Sequence, residues 1–295
     1  MSKKSKVTPK LDLVFKKIFG DVRNTDILAD FLATVLAIKP SDISQIEILD
    51  NEIIPDILLS KFSRLDLRIT INKVTSVNIE IQILNYGNYK ERTLFYWAKM
   101  YTGELQKNED YINLKNAISI NVIDFNLFDC KEYHSTFKVF EEHRQELLTD
   151  KFRIDFLELR KAKDMKESGS MTDKKQMWMD FLNTNAEDDE TLERLATESP
   201  IMKKAVAVLR QMSADEKELY EIEQREKAVR DEFNKTSIGH SRWGAGLPSG
   251  SDSQLIFMQS AIDKLDDQVG RAAIISNSSP LSSGGTSSGE SQVRR

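Results

Sequence analysis

The chain has little cysteine, little proline and, over most of its length, little glycine. Its 295 residues hold one cysteine, Cys130, which excludes an internal disulfide and fits a reducing compartment, so a cytoplasmic location is expected. No apolar run approaches the roughly 20 residues that cross a bilayer. The basic start Met1-Ser2-Lys3-Lys4-Ser5-Lys6 is not followed by an apolar segment, so neither a secretory signal nor a membrane partner is expected. A net charge of −5 and a pI of about 5.5 speak against the global basic field of a nucleic-acid binder. Lys3, Lys4, Lys6, Lys10, Lys16 and Lys17 nevertheless make the first 17 residues basic. There are three histidines; His134 shows no metal-ligand spacing with His143 or His240.

Two alternating stretches stand out: Leu65-Asp66-Leu67-Arg68-Ile69-Thr70-Ile71 and Val77-Asn78-Ile79-Glu80-Ile81-Gln82-Ile83. Strict apolar and polar alternation reads as half-buried strand. Successive strand side chains point to opposite faces, so Asp66, Arg68 and Thr70 share a face, as do Asn78, Glu80 and Gln82. Residues 72–76 suffice for a hairpin loop. If the strands pair, Asp66 and Glu80 sit side by side, and two close carboxylates suit a hard divalent cation with oxygen ligands. The same alternation also fits a hairpin with one solvated face and no further role.

Helices are expected over residues 11–20 and 25–37, the second capped by Asn24 or Thr25 and ended by Pro40. Residues 45–54 read as a strand. A long helix is expected over 88–107, with Leu94, Trp97, Ala98, Tyr101 and Leu105 as its apolar stripe. Tyr89, Arg92 and Tyr96 fall on a neighbouring face, either bordering the carboxylates to meet a phosphate or packing as core with Arg92 in a structural ion pair. The β-branched run 117–125 reads as a strand buried on both faces, and 135–142 and 153–160 as further strands.

Residues 164–233 turn to charged helical segments, with a favourable Glu221–Arg225 pair at i,i+4, and suggest a solvated helical appendage. Beyond 233 the composition breaks: eight of the twelve glycines and fourteen serines lie in the last 62 residues, as at a domain boundary. From the residues alone the fold class is α/β or α+β.

Several stretches in one order resemble the PD-(D/E)XK nuclease family transposases, the recombination-promoting nuclease or putative transposase family. They are Pro9–Gly20, Asp26-Ile27-Leu28 with Phe31-Leu32, the two alternating strands, Arg92–Trp97, Ile118–Phe125, Tyr133-His134-Ser135 and Arg225–Glu232. The resemblance implies an α/β, restriction-endonuclease-like core, a mixed sheet flanked by helices, over 1–163. A charged helical extension over 164–233 would follow.

It also implies Mg²⁺ or Mn²⁺ held by Asp66 and Glu80, with the backbone carbonyl of Ile81 as a third ligand. Gln82 then stands where many related nucleases have lysine; its neutral carboxamide can hold a water but adds no charge. By the same resemblance Asp12 and Lys10 are accessory candidates, with Asp12 equally placed to favour the helix dipole. The implied partner is DNA and the implied activity phosphodiester hydrolysis linked to recombination or mobile elements.

The tail, 234–295, resembles an internal fragment of the N6-adenine DNA methyltransferase subunit of type I restriction systems, most specifically over 284–295. It lacks both the Asn-Pro-Pro-Phe/Tyr motif and an upstream glycine-rich loop, so no methyl transfer is expected from it. The competing readings are a DNA-binding or interaction module that keeps the fold without cleavage and, on the tail alone, an adenine methyltransferase fragment.

Overall fold

The computed structural model describes residues 7–49, 67–85, 87–103, 105, 110–167 and 173–242. Asp66, residues 50–54 of the strand expected over 45–54, and residues 243–295 lie outside them. Two compact units are distinguished, Met1–Glu226 and Lys227–Arg295.

The first unit is built on a six-stranded mixed sheet. Its strands are β1 (Ile46–Leu49), β2 (Leu67–Ile71), β3 (Thr75–Gln82), β4 (Asn116–Ile123), β5 (His134–Phe137) and β6 (Phe152–Glu158), in the order β1-β2-β3-β4-β6-β5. β1, β2 and β3 form an antiparallel meander, β3, β4 and β6 run parallel, and β5 returns antiparallel to β6. A parallel pair needs a crossover; α3 (Tyr89–Gly103) is the helix of the one between β3 and β4.

The β2–β3 loop is tighter than the expected five residues. Asn72 and Lys73 both have positive φ, and Val74 N–H donates to Ile71 C=O at 3.1 Å. The loop is three residues, Asn72 to Val74, between the paired Ile71 and Thr75, and its two left-handed residues give the twist that antiparallel strands favour. Asn72 tolerates the left-handed conformation, and its Oδ1 accepts from the backbone N–H groups of Ser44 and Gln45, anchoring the start of β1.

One face of the sheet is apolar. Ile69, Val77, Ile79, Ile120, Val122 and Leu157 are buried there in the main hydrophobic cluster. α1 (Asp12–Phe19) packs on β3, and α2 (Thr25–Leu36) packs beside α1. α2 ends earlier than Pro40 would require, because Ala37 adopts the left-handed conformation. After α4 (Leu159–Glu167) come α5 (Asp173–Asn183), α6 (Asp189–Glu198) and α7 (Pro200–Ala214), with α5 and α7 against α1 and α2.

Where the sequence suggests a solvated appendage, these helices close the core. Trp178, Phe181, Leu192, Leu195, Met202, Val206 and Leu209 are all buried in the same cluster as the sheet. Their apolar residues are few per helix, which makes each helix look charged, but they converge on one side. α8 (Glu216–Arg242) continues the chain across the division between the units.

Tertiary contacts also replace the expected Glu221–Arg225 pair. Arg225 Nε donates to Asp12 Oδ2 at 2.8 Å, and Glu221 lies 3.8 Å from Lys17 Nζ.

A buried polar cluster ties β6 to α2. Asp155, fully buried, lies 2.8 Å from His134 Nε2 and accepts from Thr136 Oγ1 at 2.7 Å and Arg153 Nε at 2.7 Å. Arg153 also donates to the carbonyls of Val35 and Leu36 at the C-terminus of α2. His134 is thereby accounted for structurally. Burial alone would raise the Asp155 carboxyl, but the hydrogen bonds from His134 and Arg153 outweigh it and hold it below its ordinary value. A lowered carboxyl stabilises the fold above its unfolded value of about 3.9 and loses that contribution as pH falls through the folded one. Asp155→Asn is therefore expected to destabilise by about 1–3 kcal/mol at pH 7, the effect of stranding buried partners. The difference should shrink in urea melts as pH drops below about 4; a gap independent of pH would refute this account.

Candidate active site

The other face of the sheet is polar at its centre. Arg68 is opposite Asn78, Thr70 opposite Ser76, Asn78 beside Ser119 and Glu80 beside Asn121. These residues share one face because cross-strand partners point the same way. Ser76, Asn78, Glu80, Ser119 and Asn121 are all buried, so the alternation does not mark a solvated face.

α3 covers this row, but not with the expected stripe. Leu94 and Ala98 are exposed, while Tyr89, Thr93 and Met100 are buried and Arg92, Tyr96 and Trp97 are partly so. The physical reason is the surface beneath. Buried polar groups need hydrogen-bond partners, so α3 presents tipped-polar side chains rather than its most apolar ones. Trp97 and Met100 sit toward the start of β4, where the indole Nε1 donates to Ala117 C=O at 2.8 Å.

Glu80 is the centre of the arrangement. Arg92 Nη2 lies 3.2 Å from its Oε2, and the Tyr89 hydroxyl lies 3.4 Å from the same oxygen. That hydroxyl is also 3.3 Å from Asn121 Oδ1, which accepts from Thr93 Oγ1 at 3.2 Å. Asn121 is fixed in turn by donating to Ser119 Oγ and to Asp155 C=O. Glu80 Oε1 is buried with no hydrogen-bond partner among the described residues. Burial raises the Glu80 carboxyl above its ordinary value, with Arg92, then Tyr89 and the neighbouring Asn78 side chain, acting in the opposite direction. An ionisable group perturbed in this way marks a candidate site.

Gln82, two residues along the same face, accepts from Arg92 Nη1 at 3.5 Å and donates from Nε2 to Leu84 C=O at 3.0 Å. The guanidinium carbon of Arg92 is 5.5 Å from the Tyr89 ring centroid and 5.8 Å from that of Tyr96.

The structure thus brings Glu80, Gln82, Arg92 and Tyr96 together. The Ile81 side chain is buried on the opposite, apolar face. Lys10 is paired elsewhere, its Nζ 3.0 Å from Asp124 Oδ1. Burial pulls the Lys10 ammonium below its ordinary value, with Asp124 opposing. Asp12 accepts from its neighbour's backbone, Leu13 N–H at 2.8 Å, and from Arg225. Asp66 lies outside the described residues. Asn121 and Thr93 join the site without any motif that marks them in the sequence. The available signal is a pair of polar residues, Ser119 and Asn121, alternating with Ile118, Ile120 and Val122 in a buried strand.

Glu80 Oε1, a buried carboxylate oxygen without a hydrogen-bond partner, is the kind of hard donor that Mg²⁺ or Mn²⁺ takes. Among the described residues no group of three or more His, Cys, Asp or Glu could by itself hold a metal. No helix among them is long and apolar enough to cross a membrane.

A mixed sheet flanked by helices, with an antiparallel meander leading into a parallel crossover and a buried carboxylate on its central strand, is a PD-(D/E)XK, restriction-endonuclease-like core. The family model described as PD-(D/E)XK nuclease family transposase matches residues 9–238, and the chain belongs to that family. Its nuclease class and its link to mobile elements follow from that membership. No curated protein and no solved structure matches the chain. The family match stops at residue 238, so the methyltransferase resemblance of the tail gains no support from it.

Proposed function

We propose that the chain is a divalent-metal-dependent DNA endonuclease that hydrolyses phosphodiesters at the Glu80 site. The observation that carries this reading is a buried, partly neutralised carboxylate whose second oxygen lacks a hydrogen-bond partner, on the central strand of a nuclease-family sheet. Burying such an oxygen is costly unless something binds it.

Asp66 is the second carboxylate of the proposal. β2 pairs Leu67 with Ile79, and the proposal needs that register to continue by one residue, which opposes Asp66 to Glu80. The backbone carbonyl of Ile81 is the proposed third oxygen. Mg²⁺ or Mn²⁺ bound there would polarise the phosphodiester and lower the pKa of a bound water toward neutrality. The protein's part is to hold the carboxylates in place. Tyr89 and Asn121 fix the orientation of Glu80, and Gln82 offers a carboxamide that can orient water.

The test is nicking of supercoiled plasmid by the purified protein in Mg²⁺ or EDTA, beside Asp66→Ala. Nicking that requires both the metal and Asp66 is the expected result. Equal nicking by the variant would remove Asp66 from the site.

A second reading, a DNA-binding module that has kept the fold without cleavage, is favoured by one observation. Gln82 is neutral and already engaged by Arg92 and Leu84. It predicts intact plasmid in both metal conditions together with DNA binding that survives Asp66→Ala.

A further inference from the structure

We infer that Arg92 is the cation that faces the scissile phosphate, and that its ion pair with Glu80 is the resting position of that side chain. The assignment rests on the nuclease reading above and gives Arg92 a role in it.

Hydrolysis adds one water across a P–O bond. The water oxygen stays on phosphorus, the leaving oxygen takes up a proton, and negative charge builds on the non-bridging oxygens in between. Such charge is stabilised by a preorganised cation in a site shielded from water. Glu80 and Gln82 cannot provide it, one being anionic and the other neutral.

Among the described residues Arg92 is the cation that touches both side chains, at 3.2 Å and 3.5 Å. Its side chain is 22% exposed and that of Glu80 is 4%, so Arg92 is the more accessible member of the pair, the one an arriving phosphate would reach first. Tyr89 and Tyr96 flank it with their rings, which limits the positions it can take and favours a cation between them. A planar guanidinium also matches phosphate oxygens in pairs.

A divalent ion on Glu80 would repel Arg92 from Oε2. The guanidinium would then turn outward between the two rings, toward the substrate. The Tyr89 hydroxyl, already between Glu80 Oε2 and Asn121 Oδ1, would remain on Asn121. Arg92 thus balances Glu80 before the metal binds and meets the phosphate afterwards.

The experiment pairs plasmid nicking in Mg²⁺ with calorimetric titration of Mn²⁺ into the DNA-free protein. Arg92→Gln is expected to slow nicking about 10²–10³-fold, the usual effect of losing one such electrostatic group. Its Mn²⁺ affinity should equal or exceed that of the wild type, because a competitor for Glu80 is gone. Gln82→Lys added to Arg92→Gln should recover at least about tenfold of the loss, because position 82 can carry a cation to the same place. Arg92→Lys keeps the charge and should nick faster than Arg92→Gln.

The assignment is overturned if Arg92→Gln nicks at least as fast as the wild type, or loses Mn²⁺ binding along with nicking. Failure of both lysine variants to exceed Arg92→Gln would also overturn it. A wild type that binds Mn²⁺ but leaves DNA uncut defeats the nuclease reading, and this assignment with it. A wild type that nicks beside equally active Arg92 variants defeats this assignment alone.

Discussion

Glu80→Gln is expected to reduce Mg²⁺-dependent nicking to background while leaving the metal-free protein at least as stable as the wild type at pH 8. The two halves have one cause. A buried carboxylate is held above its ordinary value by desolvation, and Arg92, Tyr89 and Asn78 only partly offset this. A carboxyl raised in the folded state favours folding most below its unfolded value of about 4.3 and less as pH climbs through the folded one. The amide of glutamine does not titrate, so the variant should gain on the wild type as pH rises from 5 to 8 in EDTA.

Metal reverses the order. A ligand at 100 times its Kd stabilises by about 2.7 kcal/mol, or roughly 5–10 °C in Tm for a chain of this size. That rise is expected for the wild type in Mg²⁺ and not for Glu80→Gln. Thermal melts at two pH values, with and without Mg²⁺, read all of this. Equal Mg²⁺ shifts in the two proteins would place the metal elsewhere, and a variant less stable at pH 8 than at pH 5 relative to wild type would contradict the burial argument.

Trp178→Ala is expected to be the most damaging single change away from the site. Trp178 is fully buried, with the rings of Phe31, Phe19 and Phe181 at centroid distances of 5.4, 5.7 and 6.0 Å. Its Nε1 also donates to Asp30 Oδ2 at 3.0 Å. Truncating a buried tryptophan costs about 3–5 kcal/mol through lost transfer energy and the cavity left behind. At roughly 2–4 °C per kcal/mol this lowers Tm by about 10 °C. The result bears on domain organisation, because Trp178 joins α5 to α1 and α2. If α5–α7 were a dispensable appendage, the variant would melt within about 1 °C of wild type, as surface changes do. A chain ending at Lys163 would then fold unaided, whereas the packing described here leaves it with Phe19 and Phe31 uncovered.

The hairpin and its polar face are legible in the residue pattern alone. Alternation has a period of two and needs no partner to be read, so it alone puts Glu80 and Gln82 on one side. Isoleucine or valine at 118, 120, 122 and 123 is also enough to mark β4 as a strand. Helical spacing likewise put Tyr89, Arg92 and Tyr96 on a common side of α3.

What those faces meet depends on the folded arrangement. Which side of α3 turns inward depends on the surface below it, and a polar row on β3 and β4 selected Tyr89, Arg92 and Thr93 over Leu94 and Ala98. Arg225 chose Asp12, 213 residues away, over Glu221 one turn away. The charged helices after residue 173 became core because their sparse apolar residues point at one another across space. Local periodicity carries the direction of a side chain within its own element, whereas burial and ion pairing are sums over neighbours that are distant in the chain, and only the folded arrangement brings those neighbours together.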